Sequence, residues 1–154
     1  MDKLNTLQSD LVNIEMYEFI EFQVGNSVFG IDIKNVREIV EPLPVTILPH
    51  SHPFVEGIVQ LRGEVLPVID LKKVTGSTEV GRIGESKYIV VEFGGNAVAL
   101  NVTSVSQIER INSNEIEFVT DMYEGNQVPV LGVIKRDAGM VLLVDFEKVI
   151  TEKI

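Results

Sequence analysis

The chain repeats itself, and that limits its fold more than any other feature. Sliding the sequence by 69 positions lays residues 19–39 on residues 88–108 without a gap. Ile20 then meets Ile89, Gly25 meets Gly94, Val36 meets Val105 and Ile39 meets Ile108. A second block follows at an offset of 75, where GIVQLRGEVLPVIDLKKV lies on GVIKRDAGMVLLVDFEKV and Gly57, Asp70, Lys73 and Val74 meet identical residues. The change of offset puts six extra residues in the intervening loop of the second half. Shared spacing, turn position and apolar pattern mark a duplicated supersecondary unit. A unit of about 55 to 65 residues buries too little surface to be comfortable alone, so the two halves should pack apolar faces together.

The unit is made of strands. FIEFQV, GNS and VFGIDI read as one hairpin, and YIVVEF, GGN and AVALNV as another, because short runs rich in Val, Ile and Phe alternate with turn residues. IKNVREIV alone could be a helical turn. Its repeat partner TSVSQI consists of poor helix formers, so both are predicted to be strands. Four of the six prolines, at 42, 44, 49 and 53, fall in EPLPVTILPHSHPF, which makes this stretch a connecting loop of fixed course. Ser51 or His52 before Pro53 could open a single helical turn. Leu4, Leu7, Leu11 and Ile14 form a helical stripe, so residues 1–16 are a short amphipathic helix or a loosely packed tail. The first β subdomain is expected at about 17–80 and the second at about 85–150, with crossing between them near the ends.

Composition then removes function classes. With 45% hydrophobic and 23% charged residues in 154, the chain can offset the entropy of folding. It has no Cys and two His, so disulfides, thiolate metal sites and cysteine nucleophiles are excluded and a reducing, cytoplasmic setting is expected. The N-terminus lacks the features of a secretory signal. A net charge of −10 would be repelled by a phosphate backbone, and 6% aromatics without Trp offer little stacking, which speaks against nucleic acid.

No catalytic constellation is apparent. There is neither a phosphate-cradling loop nor a G-x-G-x-x-G after a strand. His50 and His52 lack co-ligands and read as loop residues rather than a metal site. Ser51, His52 and Asp70 contain the residue types of a triad without a nucleophile elbow. Glu115, Glu117, Asp121 and Glu124 lie in a loop-like stretch without calcium-loop cadence and read as a solvated face. No cofactor is expected, and weight shifts to binding or scaffolding.

The duplication also filters for function, because opposite chemistry at matched positions is not demanded by the fold. Arg62, at a hairpin tip, aligns with Asp137, and Glu38 aligns with Gln107. Val36 aligns with Val105 and is partly a packing residue.

FGIDIKNVREI, the proline-containing loop, FVEGIVQLRGEVLPVIDL and MVLLVDFEKVI together resemble the CheW family of chemotaxis coupling proteins over about residues 17–150. The resemblance implies an all-β fold of two similar five-stranded SH3-like barrels on a shared hydrophobic core, with only short helical pieces and no enzymatic activity. It implies an adaptor, recruited to membrane receptor arrays, that links chemoreceptors to the histidine kinase CheA. The receptor-binding residues it implies are Val36, Glu38, Gly57 and Arg62, with Ile31 and Ile33 lining the groove or the core beneath. It implies kinase contact at the ends of the barrels without a motif that names the residues, and the apolar loop residues Val45 and Leu48 are the candidates. Thr103 stands where relatives often have Asp, and Ala99 where they have Gly, which puts the second barrel's surface in doubt. The alternatives are a CheV-like or CheA regulatory module, or a small β-barrel that binds a ligand.

Overall fold

The computed structural model describes residues 15–76, 85–118 and 129–153. The stripe over residues 1–14 lies outside them, as do Asp121 and Glu124. Two sheets account for most of the described chain. One has six strands in the order β8-β1-β2-β11-β10-β9, and the other five in the order β3-β6-β7-β5-β4. The strands are β1 (Met16–Val24), β2 (Ser27–Asp32), β3 (Val36–Val40), β4 (Val55–Leu61), β5 (Glu64–Asp70), β6 (Lys87–Phe93), β7 (Asn96–Val102), β8 (Ser104–Asn112), β9 (Ile116–Phe118), β10 (Val130–Arg136) and β11 (Gly139–Val144). The helices are short: α1 (Leu71–Thr75) and α2 (Phe146–Lys153).

The repeat is realised residue by residue. Ile20 faces Ile31 across β1 and β2 as Ile89 faces Leu100 across β6 and β7. Leu143 lies beside Gly30 in the parallel β11–β2 pair as Val68 lies beside Ala99 in β5–β7. Even the irregularities recur: β3 is bulged between Val36 and Glu38, and β8 pairs with a shift that skips Ser106. A second bulge, at Glu56 in β4, has its counterpart at Leu131 in β10. Asp70 and Asp145 match because each carboxylate accepts a backbone N–H at a helix start, from Lys72 at 2.9 Å and from Lys148 at 3.0 Å.

Replacing each strand by its repeat counterpart turns one sheet order into the other, with β9 left over. Each sheet therefore takes strands from both halves of the repeat: β3 and β5 pair with β6 and β7, and β8 and β11 pair with β1 and β2. Local pattern gives each strand its faces but not its distant partner, so these pairings are invisible to hydropathy alone. The extra strand is a correction. Glu115 ends a 3-10 turn and Glu117 sits in β9, where a loop was expected. Residues Ile33–Asn35 likewise form a 3-10 turn before β3 instead of continuing a strand.

Strand period 2 feeds two interiors from one hairpin. Ile20, Phe22 and Val24 of β1 join Ile89, Val91 and Phe93 of β6 in the core between the sheets, with Leu71 and Val74 of α1 and Phe146 and Val149 of α2. Phe19 turns to the interior of the six-stranded body with Val141 and Leu143. Tyr88 and Val90 turn to that of the five-stranded body with Leu66 and Val68. Ala99 fits for a volume reason. A methyl at its counterpart Gly30 would meet Leu143 at 2.7 Å and Phe19 at 2.8 Å, whereas the residue matching Leu143 is the shorter Val68.

Thr103 is buried, not part of a surface. Its N–H donates to the Gln23 carbonyl at 2.9 Å and its Oγ1 accepts from the Gly25 N–H at 3.0 Å, tying the β7–β8 junction to the β1–β2 turn. Thr103→Val keeps the shape and removes that acceptor, so it is expected to lower unfolding free energy by about 1–3 kcal/mol. A urea midpoint unchanged from the parent would count against this anchoring role.

Candidate partner-binding site

A strand normally sends successive side chains to opposite faces, but a bulge re-aims them. Arg37 is the bulged residue of β3, and both it and Glu38 reach the tip of the β4–β5 hairpin. Arg62 donates from Nη1 to Glu38 Oε2 at 2.7 Å. Arg37 donates from Nη1 to Glu64 Oε2 at 2.7 Å, and to Glu92 Oε2 from Nη2 at 2.7 Å and Nε at 3.2 Å. β3 and β4 lie at opposite edges of the sheet order, so these pairs join its two ends and the sheet must curl to bring them together. Hydrogen bonds to Glu92 and then Glu64 raise the Arg37 guanidinium above its ordinary value.

The tip itself is strained. Arg62 has φ 51° and Gly63 φ 81°, the left-handed pair that a tight two-residue hairpin turn needs. Glycine adopts this freely, whereas a residue with a Cβ sacrifices about 1–2 kcal/mol. Arg62 tolerates it with a side chain 75% exposed, leaning on a Glu38 side chain only 18% exposed. Four of its five N–H donors remain available to a partner.

The other sequence-predicted residues do not all gather here. Val36 is half-buried against the shared core and lines a shallow pocket of about 350 Å³ with Lys34, Asn35, Arg37, Glu92 and the Gly94–Gly95 turn. Ile33 packs against the same core. Ile31 is 2% exposed, so of the two places expected for it, the groove or the core beneath, it takes the core. Gly57 also sits elsewhere. It has φ +154°, and a Cβ on it would meet the Thr46 carbonyl oxygen at 2.3 Å and Val45 Cγ1 at 2.7 Å. Its lack of a side chain lets the loop pair onto β4, where Thr46 and Ile58 exchange N–H to carbonyl bonds of 2.9 Å. That loop exposes Val45, Ile47 and Leu48, with Ile47 at 79%.

His52 is occupied locally, its Nδ1 accepting the Phe54 N–H at 3.1 Å in a turn where a helical start was expected. Arg37, Glu64 and Glu92 were not singled out from sequence. The signal existed: their repeat counterparts Ser106, Gly139 and Gln23 are uncharged, the criterion that selects Glu38.

Comparison with known proteins now has a site to attach to. The CheW-like domain profile matches residues 18–153. The chain belongs to the CheW-like family. It is 27% identical over 142 residues to the chemotaxis protein CheW of Thermotoga maritima, covering 90% of this chain and 91% of that one. It is 31% identical over 140 residues to CheW of Klebsiella aerogenes, covering 88% and 82%. The crystal structure of the scaffolding protein TtCheW from Thermoanaerobacter tengcongensis superposes with a TM-score of 0.77 at 32% identity, covering 85% of this chain and 90% of that one. Among the described residues of this CheW-like chain, no helix is long and apolar enough to cross a membrane.

Two predictions follow from this geometry. Arg62→Gly relieves the left-handed turn while losing one exposed ion pair of small worth. Its unfolding free energy is therefore expected to equal or exceed the parent's, by up to about 1 kcal/mol, and a clear drop in thermal midpoint would show that the pair holds the fold.

Glu56, the bulged residue beside Gly57, accepts from Asn101 Nδ2 at 2.9 Å, and Asn101 Oδ1 in turn accepts from the Ser86 hydroxyl. Burial first, and then the Asp70 charge, raise its carboxyl above the ordinary value of a glutamate, against lowering by the Asn101 bond, Lys73 and Lys72. A group raised in the folded state holds its proton better folded than unfolded. Its contribution to stability therefore falls as pH rises from 4.5 through the raised value and stays low at neutral pH. Glu56→Gln should match the parent near about pH 4 and exceed it in urea midpoint near about pH 7. A difference that does not change with pH would remove burial as the cause.

Proposed function

We propose that this chemotaxis adaptor couples a chemoreceptor's cytoplasmic tip to the regulatory domain of the histidine kinase CheA through two separate faces of the five-stranded body. The receptor face is the Glu38–Arg62 pair with Val36 beside it. The kinase face is the loop carrying Val45 and Leu48, which Gly57 seats against β4. One observation carries the reading: a solvent-exposed guanidinium held in a strained turn by a shielded carboxylate, at positions where the repeat shows that the fold needs neither charge. Strain of this kind points from backbone to function. The exposed apolar residues 45, 47 and 48 cluster at a rim, as hydrophobic contact patches do.

In this role the protein performs no catalysis and uses no cofactor. It works in the cytoplasm, drawn to membrane receptor arrays by its partners. The experiment compares Arg62→Ala, Glu38→Ala and Leu48→Asp for binding to a receptor tip and to the CheA regulatory domain, with melting temperature measured alongside. Arg62→Ala and Glu38→Ala are expected to weaken receptor binding by about 2 kcal/mol, near 30-fold, and to leave kinase binding unchanged. Leu48→Asp is expected to do the reverse. Receptor affinity equal to the parent's in both charge variants would overturn the receptor face.

A further inference from the structure

The second half of the molecule serves as an internal control for the first. The two bodies share strand order, register and bulges, so a side-chain network present in only one of them is not needed to build the sheet. Arg37, Glu38, Arg62, Glu64 and Glu92 form such a network. Their counterparts are Ser106, Gln107, Asp137, Gly139 and Gln23, which carry one charge among them. The counterpart hairpin also closes with no left-handed residue at Asp137 or Ala138. The six-stranded body joins its β8 and β10 strands by a different ion pair, Arg136 with Glu109.

Within the network the contacts are divided unequally. Glu38 makes one bond, to the exposed Arg62. Arg37 makes three, and they tie together β3, β5 and β6. Glu64 is two residues from Arg62, across Gly63, so the Arg37–Glu64 bond holds the hairpin tip by its far side. The charge order is opposed along the contact: plus then minus on β3 meets minus at Glu64 and plus at Arg62. Sliding the tip by two positions would set Arg37 against Arg62 or Glu38 against Glu64, like charges in either direction, so the order selects one register. The Arg37 guanidinium is turned to its acidic partners and its side chain is 31% exposed, against 75% for Arg62.

We propose that Arg37 is a positioning residue for the partner face: by bridging Glu64 and Glu92 it locks the β4–β5 tip against the bulged edge of β3 and so presents Arg62 in the pose its partner meets. The proposal rests on the reading of Glu38 and Arg62 as the receptor face. Arg37 then acts by sparing the complex the cost of ordering a long side chain on a mobile tip, not by touching the partner.

The test is a double-mutant cycle on the full chain with Arg37→Ala, Arg62→Ala and both together. Affinity for a receptor cytoplasmic tip, affinity for a CheA regulatory domain and melting temperature are read for each. Arg37→Ala is expected to weaken receptor binding about 3- to 10-fold, the ordering cost of one or two long side chains. Kinase affinity should stay level, and the double variant should bind the receptor no worse than Arg62→Ala, because nothing then remains to position. Arg37→Lys, whose single ammonium cannot span both acids in the same way, should fall between Ala and the parent. Additive losses would mean that Arg37 contacts the partner itself, and parallel losses of kinase binding and melting temperature would mean that it maintains the fold; either overturns positioning. Full receptor affinity in Arg37→Ala alongside a weakened Arg62→Ala overturns positioning and leaves the receptor face intact. Full affinity in Arg62→Ala overturns both.

Discussion

Everything in this fold depends on two hairpins that are buried on both faces. β1–β2 and β6–β7 each send alternate side chains into the interior of their own body and into the core between the sheets. That is why YIVVEF and AVALNV read as nearly unbroken apolar runs instead of clean alternation. Glu18, Gln23 and Glu92 keep solvent contact, but the apolar positions on both faces must be covered, and each body is completed by strands of the other half: β8, β10 and β11 around β1–β2, and β3, β4 and β5 around β6–β7. Each sheet is completed by strands of the other half, so neither sheet can be finished before both halves are made, and unfolding is expected to be a single cooperative event.

A duplicated scaffold of this kind separates what the fold requires from what one surface does. Matched core positions hold matched chemistry: Ile20 with Ile89, Ile69 with Val144, Val74 with Val149. Divergence collects at the bulges. Arg37 and Ser106 occupy one repeated bulge, Glu56 and Leu131 the other. A bulged residue is released from the ladder, so the sheet sets few terms for its side chain. The two bulges of the five-stranded body carry the charged residues Arg37 and Glu56, whereas the same bulges in the six-stranded body carry a small hydroxyl and a partly exposed Leu. Architecture was copied and surface was not.

The same logic explains what was legible in the sequence. The repeat at offsets of 69 and 75, the hairpins, the core positions and the choice of Arg62 and Glu38 followed from period-2 patterning and comparison of the halves. Three things did not. The pairing of β3 with β6, β5 with β7, β8 with β1 and β11 with β2 joins distant segments and has no local signature. β9 arises from an acidic string whose short pairing rests on Gly132, where a Cβ would meet Ile116 at 2.6 Å. Gly57 looked like part of the receptor motif because a sequence does not distinguish a glycine that admits a ligand from one that admits the chain's own backbone. The Thr46 carbonyl shows that it is the second kind. Arg37 escaped for a related reason, since its meeting with Glu64 and Glu92 depends on a bulge that re-aims one side chain.

The pairing of Arg62 with Glu38 suits a reversible adaptor better than a stronger contact would. In the free protein the pair is bathed on the Arg62 side by water, and an exposed ion pair there adds little to stability. On the proposed reading of the tip as the receptor face, a partner covering it would expel water and lower the effective dielectric, so the same 2.7 Å bond would strengthen on docking. Part of the interaction energy is thus realised only in the complex, while the free protein neither depends on the pair nor is distorted by its loss. A buried version would have made the guanidinium part of the fold and unavailable to a partner. An unpaired version would have left a flexible cation to be ordered on every encounter. A shielded carboxylate beneath an exposed guanidinium lies between these limits, and it places the recognition element on a scaffold whose core stands without it.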